Sequence, residues 1–497
     1  MIKPIRILAG AFLAALFATS IIAEDRPNFV IVLADDVSWS SFGCNEAGLY
    51  TRTPNIDKLA GQGVRFTNFM GSVAQCGPLR HELYTGLLPP TSGVYSNGSK
   101  ARGNYRNLAN YLGDLGYKVG LTGKTHFNVA DFHKIPGFES NGNHSAPTWE
   151  MSGVKQFIET SQSENKPFCV VVASVNAHHP WTVGDPSNFP LDKIVVPPHM
   201  VDTPVTREAL AIHAAEVEVL DNQVGATMKL LDDLKLEENT VLIFLSEQGT
   251  ALPQGKWSVY DYGTKALCLV RWPGKLKPAV TDAVAMYCDI SSTIVDIAGG
   301  EAPATDGKSL FSVLKGETSH HREHAYLIHQ AGGYTQRAIR NKEFKLVWNP
   351  EREVDYYLDV LMEPRSNKFF AKAWREWLVK AKTDLAAQAK IDRVVKHPEF
   401  ELYNIKNDPW ELDNLANIPE YRPKLEEMHA QLKADMETLN DAFSTVDPKD
   451  LKRAKKAQAE QVDGSEQANN PERSELTDKQ KRREARKQAR KTKKADK

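Results

Sequence analysis

The chain has 497 residues, 41% of them hydrophobic and 25% charged, with a formal net charge of −1. That length and balance fit two domains, or one large α/β domain with additions, and exclude a small stapled scaffold. The five cysteines (Cys44, Cys76, Cys169, Cys268 and Cys288) have neither disulfide-framework nor zinc-ligand spacing, and an odd number leaves at least one unpaired.

Lys3 and Arg6 precede an apolar run from Ile7 to Ile22, with Ala23 as a cleavage residue. Residues 1–23 therefore read as a secretory signal, and the protein as exported, periplasmic or secreted. A membrane anchor is the alternative, but the run is short for a span and ends in Glu24-Asp25. Export and the absence of a recognition motif argue against a nucleic-acid partner.

Pro27–Ala34 is a β-branched run of the kind buried on both faces of a sheet, and it delivers Asp35-Asp36 at its carboxyl end. Two adjacent carboxylates at that edge suggest a hard divalent cation, or else the cap of a following helix. Thr53-Pro54-Asn55-Ile56-Asp57 opens a Pro-started helix that runs to Ala60, and a strand follows Gly63. Next comes Cys76-Gly77-Pro78-Leu79-Arg80, then Leu83-Tyr84-Thr85-Gly86. Arg80 stands a helical turn from Cys76, close enough to donate several hydrogen bonds to it or to its anion.

Leu108–Gly116 reads as an amphipathic helix, and Tyr117–Thr122 as a strand leading to Gly123-Lys124-Thr125-His126. In an extended segment Lys124 and His126 point to the same side. Phe168–Val175 is another buried strand, ending in Asn176-Ala177-His178-His179-Pro180-Trp181. A long helical pattern over 207–236 precedes the strand Thr240–Ser246 and then Glu247-Gln248-Gly249. Lys256-Trp257-Ser258-Val259-Tyr260-Asp261 leads to a further strand, Ala266–Arg271. Beyond it, Arg337–Arg340 and Phe344–Trp348 suggest a small antiparallel sheet, with a helical stretch over 366–396 and a last helix from Pro419 to about Leu439. The final twenty residues carry eleven Lys/Arg against three acids and read as a disordered basic tail. Such a tail can hold the protein on an acidic surface through charge, or act as a solvated extension without a specific partner.

Taken in order, C-x-P-x-R with L-x-T-G, T-P-N-x-D-x-L-A, G-K-x-H, H-x-P and the late E-L-Y block resemble the type I sulfatases over about residues 26–440. The resemblance implies an alkaline-phosphatase-like α/β fold: a large, mostly parallel central sheet flanked by helices, plus a smaller C-terminal subdomain with a short antiparallel sheet and helix. The implied boundaries are 24–318 for the catalytic domain, 319–445 for the subdomain and 446–497 for the tail. In that family the cysteine is oxidised to Cα-formylglycine by a separate enzyme, here a transient partner. A sulfate ester repels anionic nucleophiles, so a neutral hydroxyl of the hydrated aldehyde suits it better than a thiolate.

By the same resemblance Cys76, Arg80, His126 and His178 are catalytic, with His178 the general acid, and Lys124 and Lys256 grip sulfate. Asp35, Asp36, Cys76, Glu247 and Gln248 would hold one Ca2+. The implied activity is release of inorganic sulfate from a sulfated carbohydrate, with a weaker likeness to bacterial heparan N-sulfatase-like members. Trp181, Trp257, His81 and Tyr95 are candidates for a sugar subsite.

The chain departs from the pattern at Leu79, where relatives carry a small residue, at Ser41, and at Glu247-Gln248, where Asp and Asn or His are usual. Two alternatives stay open: a phosphate or phosphonate monoester hydrolase of the same superfamily, and a sulfoglycan-binding protein in which Leu79 prevents modification.

Overall fold

The computed structural model describes residues 26–45, 50–136, 151–301, 303–331, 334–350, 355–356, 362–363 and 366–441. The signal read at 1–23 and the basic tail from 446 lie outside them. Eight strands form the large sheet: β1 Asn28–Leu33, β2 Val64–Met70, β3 Lys118–Gly123, β4 His133–Lys134, β5 Phe168–Ala173, β6 Thr240–Leu245, β7 Lys265–Arg271 and β8 Ala279–Met286. Their order is β4-β3-β5-β1-β6-β7-β2-β8. β1 pairs in parallel with β5 and β6, β3 with β4 and β5, and β2 with β8, while β7 runs antiparallel to both its neighbours.

The central strands are apolar throughout because both faces are covered. Along β1, Phe29, Ile31 and Leu33 enter one core, with Cys169, Val171, Val241 and Ile243. Val30 and Val32 enter the other, with Val170, Leu242 and Phe244. This is the period-2 alternation of a strand buried on both faces. Cys169 and Cys268 are core residues, as their apolar surroundings predict.

Register places the chemistry. Leu33 lies opposite both Ala173 and Leu245, and Gly123 opposite Ala173. The segments that follow β1, β3, β5 and β6 therefore leave one edge together, carrying Asp35, Lys124, His178 and Glu247. Ligands of open α/β sheets collect at that carboxyl edge.

The helix expected over 207–236 is Pro204–Asp233, capped by the Thr203 hydroxyl, which accepts from Thr206 N at 3.1 Å. The stretch 366–396 is two helices, Phe369–Ala381 and Leu385–Val395, separated at Asp384, whose carboxylate accepts from Ala386 N and Ala387 N. Asp384 is a favourable N-cap, and it ends the first helix by starting the second.

A second sheet, order β12-β11-β10-β9, is built from β9 Ala325–Ala331, β10 Tyr334–Arg340, β11 Phe344–Trp348 and β12 Phe400–Asn404, all antiparallel. The helix Arg422–Thr438 lays Leu425, Met428, Leu432 and Met436 on it. Met70, Val284 and Met286 of the large sheet meet Leu327, Ala338 and Val347 of the small one. Beside this seam the buried Asp261 carboxylate takes Arg340 and Lys345. Among the described residues no helix is long and apolar enough to cross a membrane.

Candidate active site

Cys76 is the first residue of the helix Cys76–Thr85, and Gln75 before it is extended. A helix start collects positive potential and unsatisfied N–H groups. Nine of the ten helix residues are buried, so the helix runs through protein rather than along its surface. Leu79, at the position where relatives carry a small side chain, is buried too. A Cβ on Gly71 would come within 2.7 Å of its Cδ1, so Gly71 supplies the room that the leucine needs.

Arg80, one turn along and fully buried, donates to the Lys124 carbonyl oxygen at 2.5 Å. Its Nε lies 2.5 Å from Glu247 Oε1, and its Nη2 3.9 Å from Asp35 Oδ2. Lys124 Nζ donates to Asp35 Oδ2. Lys256 Nζ bridges both oxygens of Asp36 at 2.8 and 2.9 Å. His178 Nε2 is 3.6 Å from Asp36 Oδ2, and its Nδ1 donates to the His179 carbonyl oxygen at 2.6 Å. Gln248 Nε2 donates to Asp36 Oδ1 at 2.5 Å. Asp35, Asp36, Cys76, Arg80, Lys124, His178, Glu247, Gln248 and Lys256 thus meet in one cluster of carboxylates and cations, and His126 lines the cleft beside it.

The field in this cluster is strong. Burial alone would raise the Cys76 thiol, but the positive charges of Lys256 and Lys124, with His126 nearby, outweigh it and bring it down to about 5. Burial likewise opposes ionisation of Asp35, yet Lys124, His178 and Arg80 hold it well below the usual carboxylate range. Glu247 goes the other way: burial, together with repulsion from Asp35, raises it despite Arg80. His178 is pulled both ways. Burial lowers it, and Asp36 and Asp35 only partly compensate.

Oxygens of Asp35, Asp36 and Glu247 lie within 4.8 Å of one another. Asp35 Oδ1 and Gln248 Oε1 are buried without a hydrogen-bond partner, an expensive state for polar atoms. Hard oxygen donors with unused valences fit a calcium-type cation, and Gln248 keeps the oxygen needed to take part. A second set, Asp35, Cys76 and His178, shares Asp35 and brings residue 76 to the same place.

Sequence reasoning gave no role to two supporting residues, Asn97 and His213. Asn97 accepts from Gly77 N at 2.9 Å and places its Nδ2 3.8 Å from the Cys76 sulfur. It comes from a turn twenty residues downstream, and only turn chemistry marks it in the sequence. His213 donates to the Asp36 carbonyl oxygen at 3.3 Å, and Asp36 itself sits in the left-handed region at φ 56°. Glu216 takes Asn176 Nδ2 at 2.5 Å and the backbone N–H groups of Thr182 and Val183, tying down the loop that carries His178.

Of the proposed sugar-subsite residues, His81 lines a cleft beside Gly77 and His126. Trp257 lines a separate small cavity, Trp181 is buried, and the Tyr95 hydroxyl donates to Asp441.

A buried cysteine at a helix start thus lies with Arg80, Lys124 and Lys256 at the carboxyl edge of a mostly parallel sheet. The sulfatase family model matches residues 27–300, more than half of the chain, and the chain belongs to that family. An ulvan-active sulfatase of Formosa agariphila is 26% identical, over 85% of this chain and 82% of its own. The human N-sulphoglucosamine sulphohydrolase is 25% identical, over 82% of this chain and 89% of its own. The fold is also that of a structure solved with its substrate D-glucosamine-2-N,6-O-disulfate (TM-score 0.63, 17% identity, covering 85% of this chain and 100% of that one). It is likewise that of the phosphonate monoester hydrolase of Agrobacterium radiobacter (TM-score 0.59, 18% identity, covering 83% and 96%).

Proposed function

We propose that this sulfatase-family enzyme releases inorganic sulfate from a sulfated sugar or polysaccharide fragment, with residue 76 acting as its formylglycine form. The observation that carries the reading is the place of Cys76, buried at a helix start with its sulfur within 4.8 Å of ligand atoms of Asp35 and His178, in the cluster that holds Arg80, Lys124 and Lys256. Oxidised to the aldehyde and hydrated, residue 76 supplies a neutral hydroxyl nucleophile, and a Ca2+ among Asp35, Asp36, Glu247 and Gln248 supplies Lewis-acid polarisation of the sulfate.

The chain's own residues do the rest. Each lysine ammonium has three N–H donors, so contact with an aspartate leaves others for sulfate oxygens. Arg80, held by Glu247 and the Lys124 carbonyl, fixes Lys124 against the helix start. His126 moves the proton at the residue 76 hydroxyl. His178 delivers a proton to the departing sugar oxygen, and the arriving sulfate anion favours its charged form. Fixed cations aimed at one oxyanion stabilise charge as it shifts. Export, as read from residues 1–23, places the enzyme where such glycans are met.

The test is mass spectrometry of the tryptic peptide Phe66–Arg80 from protein co-expressed with a formylglycine-generating enzyme, with sulfate release measured on the same sample. An aldehyde at 76 together with sulfate release supports the reading. Aldehyde present but only phosphate or phosphonate esters cleaved moves the chain to the neighbouring hydrolase class. Unmodified Cys76 with retained sulfoglycan binding makes it a binding protein.

A further inference from the structure

Beside residue 76 lies a cleft of about 360 Å3, with Gly77 and His126 among its lining residues. That volume is at the small end of ligand sites. Its lining differs sharply from the sulfate end. Where Arg80, Lys124 and Lys256 converge on the nucleophile, the cleft offers His81, Asn104, Tyr105, Asn128 and Asp131. Apart from the histidines His81 and His126, the one charged side chain among its described lining residues is the Asp131 carboxylate, which accepts from Asn107 Nδ2 at 2.8 Å.

Neighbouring cations are committed elsewhere: Arg102 donates to the Pro90 carbonyl oxygen, and Arg106 to Asp114 and the Asn110 carbonyl oxygen. Lys100 is exposed and does not line the cleft. Burial lowers His81 to about 4, so it faces the cleft as a neutral ring. Tyr105 ties its hydroxyl to the Thr91 carbonyl oxygen at 3.1 Å and packs its ring edge-on to His81. The cleft therefore combines aromatic faces, neutral amides and one carboxylate, which is a surface for hydroxyl groups and not for anions.

We infer that this cleft takes a sugar ring whose only anion is the sulfate being removed, and that it rejects rings bearing a second sulfate or a carboxylate. The inference rests on the sulfatase reading and narrows it to monosulfated, otherwise neutral hexose or hexosamine units. The cations at the nucleophile hold one sulfate, and Asp131 repels a further anion on the ring attached to it.

The experiment compares hexose and hexosamine monosulfates, each against its disulfated counterpart, alongside 4-nitrophenyl sulfate. Turnover is followed with the modified enzyme, and binding by calorimetry with Cys76→Ala. The expected result is at least a tenfold preference for the monosulfate in kcat/KM and in Kd. Asn128→Lys, which adds a cation on an exposed lining residue, and Asp131→Asn should each narrow that preference to under threefold by improving the disulfate. Equal or better use of the disulfate by the parent, or a preference that neither variant moves, overturns the inference. Failure to release sulfate from any ester, with the binding preference intact, would instead sink the sulfatase reading and leave the cleft assignment standing.

Discussion

Two of the mixed charge clusters buried among the described residues are finished differently. At the joint between the sheets, Asp261 receives Arg340 Nε at 3.2 Å on both oxygens, Arg340 Nη2 at 3.0 Å and Lys345 Nζ at 3.0 Å. Glu411 takes Lys345 at 2.9 Å and the Asp261 N–H at 2.6 Å. Both Asp261 oxygens are used. At the sheet edge, Asp35, Asp36 and Glu247 face Arg80, Lys124 and Lys256, yet Asp35 Oδ1 and Gln248 Oε1 remain without partners. Like chemistry, closed on itself, fastens two sheets together. Left with open valences, it has the donors for the cation proposed above.

The widest separation between the two comes from removing one member of each. Cys76→Ala should abolish sulfate release, a loss on the order of a millionfold for a missing nucleophile, with the melting temperature little changed. Asp261→Ala strands two buried cations and should cost about 3–5 kcal/mol of stability, read by denaturant or thermal unfolding. A Cys76→Ala protein as unstable as Asp261→Ala would erase the distinction.

Within the sheet-edge cluster, His178→Gln should lower kcat by about 10²–10⁴-fold, the range for a lost general acid. The loss should be smaller for an aryl sulfate, whose leaving group needs less protonation. An equal loss on both esters would remove His178 from leaving-group chemistry.

Calcium tests the open valences directly. Added at a hundredfold over its Kd it should stabilise the protein by about 2.7 kcal/mol, and a chelator should reverse both that gain and the activity. Asp35→Asn should weaken the response, whereas Asp261→Asn should retain it.

The smallest effect concerns a buried carboxylate outside both clusters. Glu82 accepts from Ser72 N, Ser72 Oγ and Cys288 N, and burial raises it to about 7 from 4.5. The folded state thus binds its proton more tightly than the unfolded chain does. The associated stability is full below about pH 4.5 and declines as pH rises through 7. Glu82→Gln should flatten that slope, by about 1–3 kcal/mol at most across the window, in unfolding curves taken from pH 4.5 to 7.5.

Part of the sheet-edge cluster was legible because four of its residues come soon after a buried strand, while their roles rest on the family resemblance. Asp35 after β1, Lys124 after β3, His178 after β5 and Glu247 after β6 need only a parallel sheet to meet. The joint was not legible in this way. Asp261 finds Arg340 and Lys345 some eighty residues on and Glu411 still further, and no local periodicity links them. The antiparallel course of β7 was equally hidden, since a strand buried on both faces reads the same in either direction. The break at Asp384 did carry a signal, the capping preference of an aspartate, but the charged and apolar spacing on either side runs through it. Leu79 departs from the small residue of the family, and the fold accommodates its bulk against Gly71.

The burial of the helix Cys76–Thr85 has a consequence for the order of events in the life of the chain. Cys76, Pro78, Leu79 and Arg80 are all enclosed, so a second enzyme cannot grip that pentapeptide in the folded protein. Oxidation of residue 76, as proposed, must therefore take place on the unfolded chain, in competition with the collapse of the very sheet that later encloses it. Yield of active enzyme then becomes a race between two clocks: slowing folding raises the modified fraction, and protein that folds first stays permanently unarmed.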